Sequence, residues 1–197
     1  GIVLMFKEIH STKEKILEVA RRLAVEKGLD NLTIRDICKE AGISVGAFYH
    51  HFSSKEKMME DSFLIYDYNL YSKLDQYDPA QPLISLKKIL MDQIIFVSSF
   101  PHQLVVEYYR TILSSPSKNA INEKRTYYRA VDKFVGLAIE KGEFSSKYTR
   151  DYLTNYFIKH IRGNLIHWCM NPNNINLVEQ TSYEIDQLFY LFKGAKE

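Results

Sequence analysis

Apolar residues recur through this chain at intervals of three and four, interrupted only by short stretches of Gly, Pro, Ser and Thr. The strand period of two, bounded by hairpin turns, is absent from the sequence. A stripe at helical spacing is buried only when helices lie against one another, so the fold class is all-α. The punctuation sets the count. Ser11-Thr12-Lys13-Glu14 reads as a capping box, Ile16, Ala20, Leu23 and Ala24 follow at helical spacing, and Gly28 supplies the stop. Thr33 to Asp36 opens a second helix with Ile37 and Ala41 inward and Gly42 as its end. Ser44 then caps a short third helix through His50. Ser53-Ser54-Lys55-Glu56 starts a longer fourth, which runs to the linker Asp78-Pro79-Ala80-Gln81-Pro82. Pro101, Pro116, Gly142 and the Asn171 to Asn174 segment divide the remainder into further helices, about nine in all.

Composition excludes several classes of function. Of 197 residues, 46% are hydrophobic and 25% charged, ordinary values for a globular chain that can bury a sizeable core. The most apolar run, Met91 to Phe100, is short and carries Asp92 and Gln93, so no membrane span is expected. The first eight residues lack the basic start and cleavage site of a signal peptide. Cys38 and Cys169 are far apart on apolar helical patterns, which fits free thiols in a reducing cytoplasm. No C-x-x-C or H-E-x-x-H spacing offers a metal site, and neither a phosphate-binding glycine loop nor a G-x-S-x-G elbow is present. The sequence therefore implies no metal, no cofactor, no catalytic residues and no enzyme.

Residues 33 to 52 have the spacing of helix, Gly-containing tight turn and helix that defines a DNA-binding helix-turn-helix. At about 100° per residue, Phe48 and Phe52 share one side of the third helix, Gly46, Ala47 and His50 the other, and Tyr49 and His51 lie on the borders. Small residues let a helix backbone approach the floor of a major groove while Tyr and His rings reach phosphates or base edges. Lys55, at the next helix start, adds a charge where backbone N–H groups already favour an anion, as a phosphate clamp would. Adjacent His50 and His51 diverge by about 100° and make a poor metal pair. Arg35 is either a DNA contact or a solvated partner of neighbouring carboxylates. The first 60 residues hold ten Lys or Arg and nine Asp or Glu, so attraction to DNA must come from local placement.

Taken together, Gly28, Thr33, Ile37, Ala41-Gly42, Ser44, Gly46, Tyr49, His51-Phe52 and Lys55 resemble the N-terminal signature of the tetracycline-repressor (TetR) family, over roughly residues 11 to 60. The resemblance implies an all-α, cytoplasmic homodimer. A three-helix DNA-binding domain at 8–54 would be followed by a helical ligand-binding and dimerisation domain at 55–197. It also implies a repressor released from a palindromic double-stranded operator by a small molecule. By position, Thr33, Arg35, Ser44, Tyr49, His50 and Lys55 would touch DNA backbone or bases, with Val45, Gly46, Ala47 and His51 facing the groove. Ala47 departs from the threonine common in the family and leaves a methyl able only to pack, for instance on a thymine methyl.

Thirteen of the 14 tyrosines and the single tryptophan follow the recognition helix. Aromatics line apolar ligand cavities or fill core. The candidate ligand contacts are Phe96, Phe100, Tyr108, Tyr128, Tyr156, His160 and Asn164. From Thr149 to Met170, Leu153, Phe157, Ile161, Leu165 and Trp168 form one stripe, with Tyr152, Tyr156, His160, Gly163 and His167 beside it. A polar group on such a helix needs a partner, so His160 and Asn164 serve either a ligand or a structural hydrogen-bond network. Gly163 and His167, with Ile185, Leu188, Phe189 and Phe192 of the last helix, suit either an intersubunit four-helix bundle or intrachain packing. The competing functions are a helical enzyme, with His102, His160 or His167 as base, and a protein-interaction module using the aromatic cavity.

Overall fold

The computed structural model describes residues 11–115, 119–173 and 176–194. The expected domain start at residue 8, the breaks at Pro116 and Asn174, and the N-terminal segment read for a signal peptide lie outside them. Ten α-helices occur among the described residues, in the order α1 (Thr12–Lys27), α2 (Ile34–Ala41), α3 (Val45–His51), α4 (Lys55–Glu60), α5 (Leu64–Tyr71), α6 (Pro82–Ser98), α7 (His102–Ser114), α8 (Thr126–Glu140), α9 (Arg150–Met170) and α10 (Leu177–Leu191). A 3₁₀ turn at Asp61–Phe63 joins α4 to α5, so counting these as one helix gives nine. The elements form two units. Helices α1 to α5 group with residues 103–115 and 119–122, and residues 73–102 group with α8, α9 and α10. Compactness thus does not follow the 54/55 boundary.

In the first unit, α1 to α3 enclose a small core. Ile16, Leu17, Leu23, Leu32, Ile37, Ala41, Phe48 and Phe52 are all buried, which is what the helical spacing of these residues requires. The caps fall where hydroxyl residues stand. Thr33 and Asp36 form a complete capping box, and Ser44 Oγ accepts from Ala47 N at 3.0 Å. The expected box at Ser11 is only half made: its hydroxyl accepts from Glu14 N, but Glu14 Oε2 is buried without a partner among the described residues. The expected continuous fourth helix is also corrected. Asp61 is buried and turned toward Lys13 Nζ at 3.2 Å and Lys57 Nζ at 3.7 Å, and at this residue the helix tightens into its 3₁₀ turn.

The second unit is four helices around one core. Leu86, Ile89, Leu90 and Ile94 of α6 meet Val131, Phe134, Val135 and Ala138 of α8, Leu153, Phe157, Ile161 and Leu165 of α9, and Ile185 of α10. The bidentate pair from Arg150 to Asp132 fixes the start of α9 on α8. The chain beyond α10 is held against the α8–α9 loop by Ser145 N to Phe192 O at 2.9 Å and Gly194 N to Glu143 O at 3.1 Å. This contact leaves no room for a side chain at Gly194, where a Cβ would stand 2.3 Å from the backbone oxygen of Gly142. Gly194→Ala is therefore expected to open the clamp and cost about 1–3 kcal/mol by overpacking. Urea unfolding checks this, and an unchanged midpoint would mean that the clamp is open in solution.

Candidate DNA interface

The recognition helix divides as its sequence requires. Phe48 and Phe52 are sealed in the core, with ring centroids 5.7 Å apart, and hold α3 from below. Val45, Gly46, Tyr49 and His50 are exposed and Ala47 and His51 half-exposed, so α3 presents one outer face. Tyr49, 52% exposed, stands edge-on against Phe48, which holds the ring while leaving half of the residue open to solvent. The His50 and His51 rings also meet edge-on, at 5.3 Å. Gly42 makes the turn between α2 and α3 with φ 65° and ψ 38°, a left-handed conformation that glycine adopts without penalty.

The near-neutral charge of this module resolves into pairs. Arg21 holds Glu18, Arg22 holds Glu26 and Glu40, Lys27 faces Asp36 at 3.8 Å, and Lys57 faces Glu60 and Asp61. Hydrogen bonds from the Thr33 hydroxyl and backbone hold the Asp36 carboxyl below its usual range, and the Arg22 guanidinium does the same for Glu40. Arg35 and Lys39 are exposed and form no ion pair among the described residues. They stand one turn apart on α2. Lys39 was missed from the sequence because the balanced total hides it; its i, i+4 spacing from Arg35 was the available signal.

Two further site residues are already engaged within the module. The Thr33 hydroxyl donates to Asp36 Oδ2 at 2.7 Å while accepting from Asp36 N. Lys55 Nζ donates to the carbonyls of Leu29 at 3.3 Å and Leu32 at 3.1 Å, tying α4 to the α1–α2 loop. An ammonium has three donors, so one remains. Lys55→Ala is expected to cost about 1.5–3 kcal/mol of stability, the range for hydrogen bonds from a charged group. Chemical denaturation monitored through the N-terminal helices checks this, and a wild-type profile would remove the tie.

The C-terminal candidates fall in different places. Tyr108 belongs to the first unit, and the other six belong to the second. Phe96 and Phe100 are half-buried, 5.1 Å apart and edge-on. Tyr128 donates to Asp151 at 3.4 Å and accepts from Asn155 at 3.3 Å. Tyr156 stands edge-on to Phe192 at 5.1 Å. His160 Nε2 lies 3.0 Å from Glu184 Oε2, and Asn164 donates to Glu184 at 2.6 Å and to Thr181 at 3.0 Å. Burial opposes the charge on Glu184, but hydrogen bonds from Gln180 and Asn164 and the proximity of His160 outweigh it and hold the carboxyl below its ordinary range.

Of the residues expected at a dimer interface, Gly163 and His167 are exposed and Leu188 and Phe189 half-buried. Ile185 and Phe192 are corrected. Ile185 has no exposed surface, and Phe192 is enclosed by Phe144, Tyr148, Tyr156 and Phe157 of its own chain, so neither can reach a partner.

Residues 16–61, the span that builds this head, match the model of bacterial regulatory proteins of the tetR family. The match extends past the head in whole-chain comparisons. The repressor KstR2 of Mycobacterium tuberculosis is 30% identical over 144 residues, covering 70% of this chain and 71% of that protein. This chain belongs to the TetR family of transcriptional regulators. The uncharacterised regulator YvdT of Bacillus subtilis is 29% identical over 160 residues, 77% of this chain and 81% of YvdT. Among solved structures, FadR of Bacillus subtilis, determined in complex with stearoyl-CoA, superposes with a TM-score of 0.62 at 18% identity, covering 89% of this chain and 96% of FadR. That likeness carries the TetR fold through the C-terminal helices.

Proposed function

We propose that this TetR-family regulator is a ligand-responsive repressor. As a two-fold dimer it would hold a palindromic operator and release it when a small, largely apolar or aromatic molecule binds among the C-terminal helices. The observation that carries the reading is the outer face of α3, where Val45, Gly46, Tyr49 and His50 stand exposed above two sealed phenylalanines. Such a face fits a major groove, with Gly46 and Ala47 allowing close approach and Tyr49, His50 and His51 reaching base edges or phosphates. Thr33, Arg35, Ser44 and Lys55 then supply backbone contacts, Lys55 through its third N–H. Lys39 joins Arg35 as a second cation without an ion pair among the described residues.

Gly163 and His167, with exposed Tyr183, Tyr190 and Leu191, form the partner-facing surface of α9 and α10, and Leu188 and Phe189 flank it. A dimer through this surface spaces two recognition helices about 34–36 Å apart, one helical turn of DNA. Its place of work is the cytoplasm, where an operator is accessible. No single helix among the described residues is long and apolar enough to cross a membrane. The relative KstR2 is a repressor, and FadR was determined with an acyl-CoA, which supports an apolar effector for this chain. Selection of bound duplexes from a random-sequence pool, followed by gel shift, tests the reading. A palindrome with half-sites one turn apart is expected, and enrichment of no duplex would overturn it.

A further inference from the structure

We propose that Gln93 is the polar anchor of the effector site, and that the effector brings a hydrogen-bond donor, a hydroxyl or an N–H, to its side-chain carbonyl. The inference rests on the reading that an apolar effector binds the C-terminal helices, and it adds the one polar group that such a molecule must carry. On α6, Gln93 lies one turn beyond Ile89 and Leu90 and two turns beyond Leu86, at the centre of the inward face. Those three side chains have no exposed surface. Gln93 as a whole is half-buried, but its Oε1 is sealed from solvent and accepts no hydrogen bond among the described residues.

A buried acceptor left unmade is a standing cost to the fold, and a leucine here would pack without it. Two donors of the same unit are committed elsewhere. Tyr77 gives its hydroxyl to Asp92 at 2.9 Å, and His102 Nε2 lies 3.0 Å from the Cys169 carbonyl. The face also changes character at this residue. Up to Ile94 it is closed, and beyond it Phe96, Val97 and Phe100 are only half-buried. The orphan oxygen therefore stands where a sealed core gives way to a half-exposed aromatic stretch, an apolar surface with one placed polar group, as small-molecule sites have. A ligand bearing only acceptors would set oxygen against oxygen there. One bearing a hydroxyl or N–H would satisfy Gln93.

The test pairs a substitution with two probes that differ in a single donor, 1-octanol and its methyl ether, on the full chain. Without probe, Gln93→Leu is expected to unfold at a higher temperature than wild type, because the unpaired buried oxygen is gone. In calorimetric titrations wild type should bind the alcohol about tenfold more tightly than the ether, the worth of one well-made hydrogen bond. In Gln93→Leu the two probes should bind alike, and Gln93→Met should repeat both results. A lower melting temperature in both variants would show the amide to be satisfied within the fold and overturn the proposal. Equal binding of alcohol and ether by wild type would do the same, as when a buried water alone meets Oε1, and so would an alcohol preference that survives Gln93→Leu. Binding of neither probe would instead overturn the apolar-effector reading on which the proposal stands.

Discussion

Replacing Gly46 with leucine is expected to lower operator affinity on the order of 100-fold, about 2.7 kcal/mol, while the protein stays folded. The two halves of that expectation have separate causes. A Cβ at Gly46 would meet only Ser44 Oγ, at 3.7 Å, an ordinary contact, so the fold tolerates a side chain there. Alanine is also a better helix former than glycine, so Gly46→Ala should hold or raise stability. The cost falls on the groove side, where a leucine keeps the α3 backbone away from base edges that Tyr49 and His50 would otherwise reach. Denaturation and gel-shift titration of both variants separate the effects. A folded Gly46→Leu protein with native affinity would show that α3 does not enter a groove by this face.

The second large effect is expected in the other unit. Phe157 has no exposed surface and is the hub of an aromatic cluster, with ring centroids 5.7 Å from Phe144, 5.5 Å from Phe189 and 5.8 Å from Phe192. These rings come from the α8–α9 loop, α9 itself and the end of α10, so truncation loosens three segments at once. Phe157→Ala should cost about 3–5 kcal/mol, the range for removing a buried aromatic, against a total of about 5–15 kcal/mol for a domain. The midpoint of urea unfolding should fall accordingly. A loss under about 1 kcal/mol would mean that the cluster is not packed in solution.

Much of the outer face of α3 was legible in the sequence because it depends on local geometry alone. The opposition of Phe48 and Phe52 to Gly46 and His50 follows from the 100° step of a helix, and Thr33 and Ser44 cap because hydroxyl residues satisfy free N–H groups there. What was not legible depends on partners distant in the chain. Nothing near Lys55 announces that its ammonium will find carbonyls at Leu29 and Leu32. Nothing near His160 and Asn164 announces Glu184. The spacing of Ile185 and Phe192 revealed an apolar face but not what covers it, and the cover is the chain's own core. Gln93 was visible as a polar break in an apolar run, but only its position at the centre of the α6 face gives that break a meaning.

The 3₁₀ turn at Asp61–Phe63 gives the first unit a screw-like joint. An α-helix advances about 100° and 1.5 Å per residue, a 3₁₀ helix about 120° and 2.0 Å. Three residues of the tighter form therefore set α5 about 60° out of phase with α4 and carry it about 1.5 Å farther along the axis than an unbroken helix would. Rewinding the turn would couple a rotation to a shortening, so that α5 could twist and retract while α4 kept its place. Asp61 stands at the thread, gripped by Lys13 from α1 and by Lys57 from α4. One cation comes from another helix and the other from the same helix four residues back, so the thread is held both across the unit and along it.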